Sequence, residues 1–66
     1  METPMTGHEF RWRRVRLGLR QQDLAEHLQC TRQWIGLLEK RTDVPPLYAL
    51  ALMQLETQRG RMHAAA

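Results

Sequence analysis

The sequence predicts an all-α domain, and three observations lead to this fold class. No segment alternates apolar and polar residues as a half-buried strand does. Apolar residues instead recur at helical spacing between residues that begin and end helices. A chain of 66 residues with 42% hydrophobic residues can also support one small core. We therefore expect a single compact domain built from four helices.

The first helix is predicted over about 7–17. Thr6 and Glu9 have the spacing of a capping box, in which each side chain bonds the backbone N–H of the other residue. Gly18 follows the helix and suits the left-handed conformation that ends many helices.

The second and third helices are predicted over 21–28 and 32–40. Asp23 lies in the first turn of the second helix, where a negative charge favours the helix dipole. Gln29 lies in the short turn, and Thr31 is the predicted N-cap of the third helix. The third helix has an apolar face and a mixed face, so we expect one face in the core and the other in solvent.

The fourth helix is predicted to begin at Pro45 or Pro46, a favoured residue in a first helical turn, and to run to about Gln58. Its apolar residues lie on nearly every side, whereas a surface helix of a monomer has one apolar stripe. The helix is therefore either central in the fold or in contact with a second subunit. The residues predicted for a dimer interface are Leu47, Tyr48, Ala51, Leu52 and Leu55.

The predicted domain covers residues 6–58, with flexible ends at 1–5 and 59–66. A single cysteine excludes an intramolecular disulfide, and no apolar run reaches the roughly 18 residues of a membrane span. The first seven residues also lack the charged start and apolar stretch of a secretion signal. We expect a cytoplasmic protein without membrane contact.

No set of residues in the chain has the pattern of a catalytic centre, so an enzyme is not expected. His27 and Cys30 are three residues apart, but one pair of potential ligands is a weak signal for a metal site. Cys30 is expected in the core instead. We expect no metal, cofactor or small-molecule ligand.

The positive charge is unevenly distributed. The net charge is +3, yet five arginines and only one acidic residue lie between His8 and Arg20. The planar fork of arginine suits phosphates and base edges. We interpret this basic cluster as a surface that faces DNA phosphates, although a solvated helix face would have the same composition.

Several short motifs fall in one register along the first two thirds of the chain. They are Gly18-Leu19, Gln21, Leu24-Ala25, Thr31, Ile35 and Leu38-Glu39. As a set they resemble the Cro/repressor-type (XRE) helix-turn-helix family, over about residues 9–55. The resemblance implies a lambda-repressor-like domain of four or five helices that binds operator DNA as a two-fold dimer. The fifth helix is expected to be missing, because the chain ends soon after the fourth.

The resemblance also assigns roles to particular residues. It places the third helix in the major groove of double-stranded DNA. The implied base contacts are Arg32, Gln33 and Leu37, with Gly36 nearby. The implied phosphate contacts are Gln21, Arg20, Thr31, Lys40, Arg41, Thr42 and Arg14. Arg14 and Glu39 match a semi-buried ion pair of the family.

Two positions depart from the family pattern. Arg20 is the N-cap of the second helix, where a side-chain acceptor is usual, and its absence costs about 1 kcal/mol. Gln29 replaces the usual glycine of the turn, which costs about 1 kcal/mol in left-handed geometry. Trp34 is expected to pack on the loop 41–44, with its indole N–H free for a phosphate. Trp12 is expected to pack on the fourth helix or the N-terminal segment.

These observations predict a dimeric repressor, autoregulatory and of phage or other mobile-element origin, that binds an inverted-repeat operator. The alternative is a protein-interaction module such as an antitoxin or a recruitment subunit, which the apolar fourth helix also fits. RNA binding is less favoured, because no strand platform with stacked aromatic residues is predicted.

Overall fold

The computed structural model describes the backbone of residues 4–65 and the side chains of residues 4–59. It contains four helices: α1 (Gly7–Arg16), α2 (Gln21–Leu28), α3 (Arg32–Lys40) and α4 (Pro46–Ala65). No strand occurs among the described residues, and the all-α prediction is confirmed.

The predicted bounds of the first three helices are confirmed to within one residue. The fourth helix begins as predicted but continues to Ala65 instead of ending near Gln58. Its helical backbone therefore extends into the segment 59–66 that the sequence predicts as a tail. Residues 1–3 and 66, which belong to the predicted flexible ends, lie outside the described residues.

Of the two hydrogen bonds predicted for the capping box of α1, one is present in the structure. Thr6 Oγ1 accepts a hydrogen bond from Glu9 N–H at 3.0 Å, as expected. The Glu9 carboxylate does not close the box but accepts from Arg13 Nε, also at 3.0 Å. A cation one turn along the helix is a natural partner for this carboxylate. At the other end of α1, Gly18 adopts the predicted left-handed conformation, with φ of 75°.

The turn between α2 and α3 has the left-handed geometry that the family pattern requires, although Gln29 stands there instead of glycine. Gln29 is left-handed, with φ of 57° and ψ of 46°, and it is the C-cap of α2. Thr31 Oγ1 then accepts from Trp34 N–H at 3.1 Å, which confirms the predicted N-cap of α3. The turn therefore places α3 across α2 with a non-glycine residue in a conformation that favours glycine.

The core joins all four helices. Helix α3 packs against both α1 and α2, and α4 packs against α1. Each helix contributes at least one fully buried apolar side chain, and burial of such a side chain stabilises a fold by about 1.5–3 kcal/mol. The largest are Phe10, Leu24, Ile35, Leu38 and Leu52.

Backbone hydrogen bonds connect the start of α1 to the residues that follow α3. Gly7 N–H donates to the carbonyl oxygen of Arg41 at 3.0 Å, and Val44 N–H donates to the carbonyl oxygen of Met5 at 2.7 Å. A Cβ atom at Gly7 would lie 2.5–2.6 Å from three carbonyl oxygens at the end of α3, so only glycine fits. Met5, assigned to the flexible N-terminus from the sequence, is buried in the core.

Helix α4 has two apolar faces. Leu52 is fully buried within the chain, so its assignment to a dimer interface is wrong. Tyr48 and Leu55 are half-buried and pack against the core, and Ala51 is also half-buried. The outer side exposes Leu47, Leu50 and Met53, with exposed fractions of 73%, 63% and 43%. The inner face of α4 therefore accounts for part of the apolar surplus, and the outer face remains uncovered within the chain.

Trp34 packs against α4. Its ring meets the Tyr48 ring edge to face, with centroids 5.8 Å apart. The indole Nε1 is buried and has no hydrogen-bond partner among the described residues. The prediction that this N–H is free for a phosphate is therefore wrong, because a buried atom cannot reach the DNA backbone.

Candidate nucleic-acid interface

Helix α3 presents one uncovered face. Ile35 and Leu38 lie in the core, while Gln33, Leu37 and Lys40 lie on the opposite side and are exposed. This separation follows from the 3.6-residue period of the helix. Leu37 has an exposed fraction of 56% and so gives this face an apolar surface. The major groove of DNA is wide enough to admit such a helix face.

Two more predicted base contacts border this face. Arg32 lies in the first turn of α3 and is exposed, and Gly36 is half-buried between Gln33 and Lys40 on the helix. A Cβ atom at Gly36 would meet only Gln21 Nε2, at 3.8 Å. The start of α2 therefore lies beside Gly36, next to the exposed face of α3.

A buried network holds α3 from behind. Arg14 Nε donates to Glu39 Oε2 at 2.6 Å, and Arg14 Nη1 donates to the carbonyl oxygen of Leu19 at 2.7 Å. The other carboxylate oxygen of Glu39 accepts from Gln21 Nε2 at 3.0 Å. The predicted Arg14–Glu39 ion pair is thus present, and it connects α1, α2 and α3.

The network changes the role of one predicted contact. Arg14 is 8% exposed and uses two of its nitrogens inside the protein. Its burial leaves it little surface for a phosphate, so we correct its role to the positioning of Glu39. Gln21 is half-buried at the edge of the α3 face, where the resemblance places a phosphate contact.

Arg20 is exposed but paired. The Asp23 carboxylate accepts from Arg20 N–H at 2.9 Å and from its guanidinium nitrogens at 3.1 and 3.2 Å. The hydrogen bonds from the Arg20 side chain lower the pKa of the Asp23 carboxyl group below its ordinary value. The hydrogen bond from the Arg20 backbone N–H has the same effect but is smaller. The Asp23 carboxylate thus satisfies the backbone N–H of the N-cap residue and holds two of the three guanidinium nitrogens of Arg20.

The loop after α3 completes the surface. Arg41 Nε donates to the carbonyl oxygen of Asp43 at 3.1 Å, and Thr42 Oγ1 donates to the Asp43 carboxylate at 3.4 Å. All three residues are exposed. Within the described side chains, Lys40, Arg41 and Arg32 have no carboxylate at ion-pair distance. The face of α3 is therefore bordered by cations that can bind phosphates.

A family model described as a helix-turn-helix domain matches residues 6–55, from the N-cap of α1 into α4. The chain belongs to the helix-turn-helix domain family. No curated protein and no solved structure matches the chain. Helices α2 and α3 form the helix-turn-helix motif, with α3 as the helix that the family presents to DNA. Membership indicates a DNA-binding regulator, in a family that is typically non-enzymatic.

The basic cluster of this helix-turn-helix domain does not form one phosphate-facing surface. Arg13 pairs with Glu9 and with Glu56 of α4, Arg14 pairs with Glu39, and Arg20 pairs with Asp23. Three of the five arginines in the cluster are therefore neutralised by acids. Glu39 and Glu56 are far away in the sequence, which is why composition along the chain overestimated the charge on this surface.

Metal binding has no support in the described part of the helix-turn-helix domain. No group of three or more histidine, cysteine or acidic side chains could hold an ion there. Cys30 is half-buried, and its burial raises the pKa of the thiol. No described helix has the length and apolar character to cross a membrane.

Sequence reasoning missed two residues of the exposed apolar surface. Leu50 and Met53 lie on the outer side of α4 with Leu47, but only Leu47 was predicted there. The spacing of three residues was visible in the sequence. What it could not show was which of two apolar faces points inward.

Proposed function

We propose that this helix-turn-helix domain is a dimeric transcriptional repressor that reads an inverted-repeat operator. The observation that supports this best is the uncovered outer face of α3. Gln33 and Leu37 are exposed there, while the Arg14–Glu39 pair and Gln21 hold the helix from behind. A reading helix needs this combination, because base contacts are lost when the helix can shift by about 1 Å.

The side chains on this face suit particular base edges. The Gln33 amide can bond the N6 and N7 atoms of adenine in a bidentate arrangement. Leu37 offers an apolar surface for the methyl group of thymine, and Arg32 can bond guanine or a phosphate. Gly36 has no side chain, so the backbone of α3 can approach the groove closely.

The surrounding groups suit the DNA backbone. Lys40, Arg41 and Thr42 are exposed beside one end of the α3 face, and Gln21 lies beside Gly36. The N-termini of α2 and α3 add partial positive charge. Thr31 also lies at the N-terminus of α3, although its hydroxyl already caps the helix. Affinity that depends on these groups falls steeply with salt.

The second subunit contacts the outer face of α4 in this proposal. Leu47, Leu50 and Met53 form an apolar strip that a two-fold copy would cover with the same strip. The two α3 helices would then read half-sites about one turn of DNA apart, 10–10.5 base pairs.

Selection of bound sequences from random duplex DNA tests this function. We expect an enriched palindrome whose half-sites are about one helical turn apart. A library that shows no enrichment after repeated rounds would contradict sequence-specific binding. The same selection with a Gln33→Ala variant identifies the base pair that Gln33 reads.

The second candidate is a protein-interaction module such as an antitoxin or a recruitment subunit. The exposed apolar strip of α4 favours it, because a different protein could cover that strip as well as a second copy could. Sedimentation at micromolar concentration separates the two. A strict monomer counts against the two-fold operator complex and favours a heterologous partner.

A further inference from the structure

The outer face of α1 carries an exposed surface that the DNA-binding function does not use. We call it the α1 patch; its members are Arg11, Trp12, Val15 and Arg16. Trp12 and Val15 are each 55% exposed. The Arg16 guanidinium carbon lies 5.2 Å from the centre of the Trp12 ring. Trp12, which is expected from the sequence to pack on α4 or the N-terminal segment, thus has more than half of its surface open to solvent.

The α1 patch points away from the DNA-binding face. Phe10 and Arg14 lie on the opposite side of α1, in the core and against Glu39 of α3. Arg13, on the same inner side, bonds Glu56 of α4 at 2.9 Å. Because the inner side of α1 meets both α3 and α4, its outer side faces neither helix. A duplex on the exposed face of α3 leaves the patch accessible.

The charge of the α1 patch is not compensated locally. Among the described side chains, Arg11 and Arg16 have no carboxylate within ion-pair distance, whereas Arg13 and Arg14 each have one or more. The patch is thus a short apolar strip between two arginines. A second copy that covered it symmetrically would bring like charges together. A phosphate backbone would satisfy the arginines but would bury neither Trp12 nor Val15.

We propose that the α1 patch docks an acidic, amphipathic protein segment. Apolar side chains of the segment would pack on Trp12 and Val15, and its carboxylates would pair with Arg11 and Arg16. Tryptophan and arginine contribute most of the binding energy in many interfaces. The stacking of Arg16 on the Trp12 ring also orients its guanidinium before a partner arrives. The proposal goes beyond operator binding and does not depend on it.

A nuclear magnetic resonance titration of the isotope-labelled full chain tests the docking surface. The probe is a synthetic helical peptide of about four turns, with leucines along one face and glutamates beside them. We expect saturable shifts at the amides of residues 8–16 and at the Trp12 indole N–H. Trp12→Ala and Arg16→Glu should each weaken peptide binding about fivefold or more. Leu47→Ala, which alters the other exposed apolar strip, should not.

Two further probes make the result decisive. A scrambled peptide of the same composition should bind about fivefold more weakly, because its leucines no longer share a face. Single-stranded oligothymidine should leave residues 8–16 unshifted. The proposal is overturned if the scrambled peptide binds equally, if the oligonucleotide shifts the same amides more strongly, or if no saturable shift occurs there. Circular dichroism confirms that each variant folds, and operator affinity, measured separately, should be unchanged by Trp12→Ala.

Discussion

Arg14 Nε lies 2.6 Å from Glu39 Oε2, and this contact joins α1 to α3 directly behind the exposed face of α3. Both side chains are nearly withdrawn from solvent, and Glu39 also accepts from Gln21 of α2. The orientation of α3 therefore depends on a charged network as well as on apolar packing. Such a network is stable only while all its members are present.

Removal of one member of the pair should destabilise the domain strongly. Arg14→Met leaves the Glu39 carboxylate without its cation and should lower the free energy of unfolding by about 3–5 kcal/mol. The double variant Arg14→Met, Glu39→Leu removes the unpaired charge and should recover much of this loss. Urea unfolding followed by circular dichroism measures both. Losses that simply add in the double variant would show that the pair is not coupled.

Two glycines should respond to alanine in opposite directions. Gly7→Ala places a Cβ atom against three carbonyl oxygens and should destabilise the domain by about 1–3 kcal/mol. Gly36→Ala has free space in a helix interior and should stabilise it by about 0.5–1 kcal/mol. Thermal unfolding of the two variants side by side checks the difference. Equal effects would contradict the close approach of α1 to α3.

The turn between α2 and α3 should become more stable with glycine. Gln29 has a positive φ, so Gln29→Gly should raise the free energy of unfolding by about 1 kcal/mol. Gln22, which is exposed on α2, is the matched control, and Gln22→Gly should lower stability by about 0.5–1 kcal/mol. If both variants lose stability in urea, the left-handed turn does not strain Gln29.

If Gln33 contacts a base, the Gln33→Ala variant should discriminate less between base pairs at one position of each half-site. Gln33→Ala should reduce the preference for one base pair in each half-site, by about 1–3 kcal/mol, with a smaller effect on random DNA. Lys40→Ala should weaken binding to all sequences alike and reduce the salt dependence. Competition binding with single-base operator variants measures both. An equal loss on operator and random DNA in Gln33→Ala would assign Gln33 to the backbone instead.

Substitutions at two nearby leucines of α4 should have different effects, one on dimer formation and the other on folding stability. Leu50→Glu puts a charge on the exposed strip and should give a folded monomer in sedimentation, with weaker operator binding. Leu52→Ala removes a fully buried side chain and should cost about 2–5 kcal/mol of stability. A Leu50→Glu variant that remains dimeric would exclude this strip as the subunit interface.

Much of the fold could be predicted because its signals are local. The Thr6 and Thr31 caps, the left-handed Gly18 and Gln29, and the bounds of the first three helices depend on neighbouring residues alone. The end of α4 could not be predicted in this way. Gly60 follows Gln58 by two residues and is typical of a helix end, yet α4 continues through it to Ala65.

The family motif also predicted the candidate site as a set of positions, but it could not supply the state of each side chain. Arg14 was predicted as a phosphate contact and is buried, while Arg20 is exposed and bound to Asp23. Trp34 was expected to pack on the loop 41–44 with its N–H free, but its ring meets Tyr48 and the N–H is buried. Arg20 and Trp34 differ because Asp23 and Tyr48 are not among the motif residues, whereas the Arg14–Glu39 pair that buries Arg14 was itself predicted.

The sequence by itself determined that this protein is an all-α helix-turn-helix domain, because helical period, caps and motif register are properties of short segments. The tertiary structure decided which charges remain free and which apolar residues remain uncovered. Glu56 neutralises Arg13 of α1, and Leu52 rather than Leu50 enters the core. These outcomes depend on the packing of helices that are distant in sequence, and no local pattern encodes the distance between two side chains on different helices.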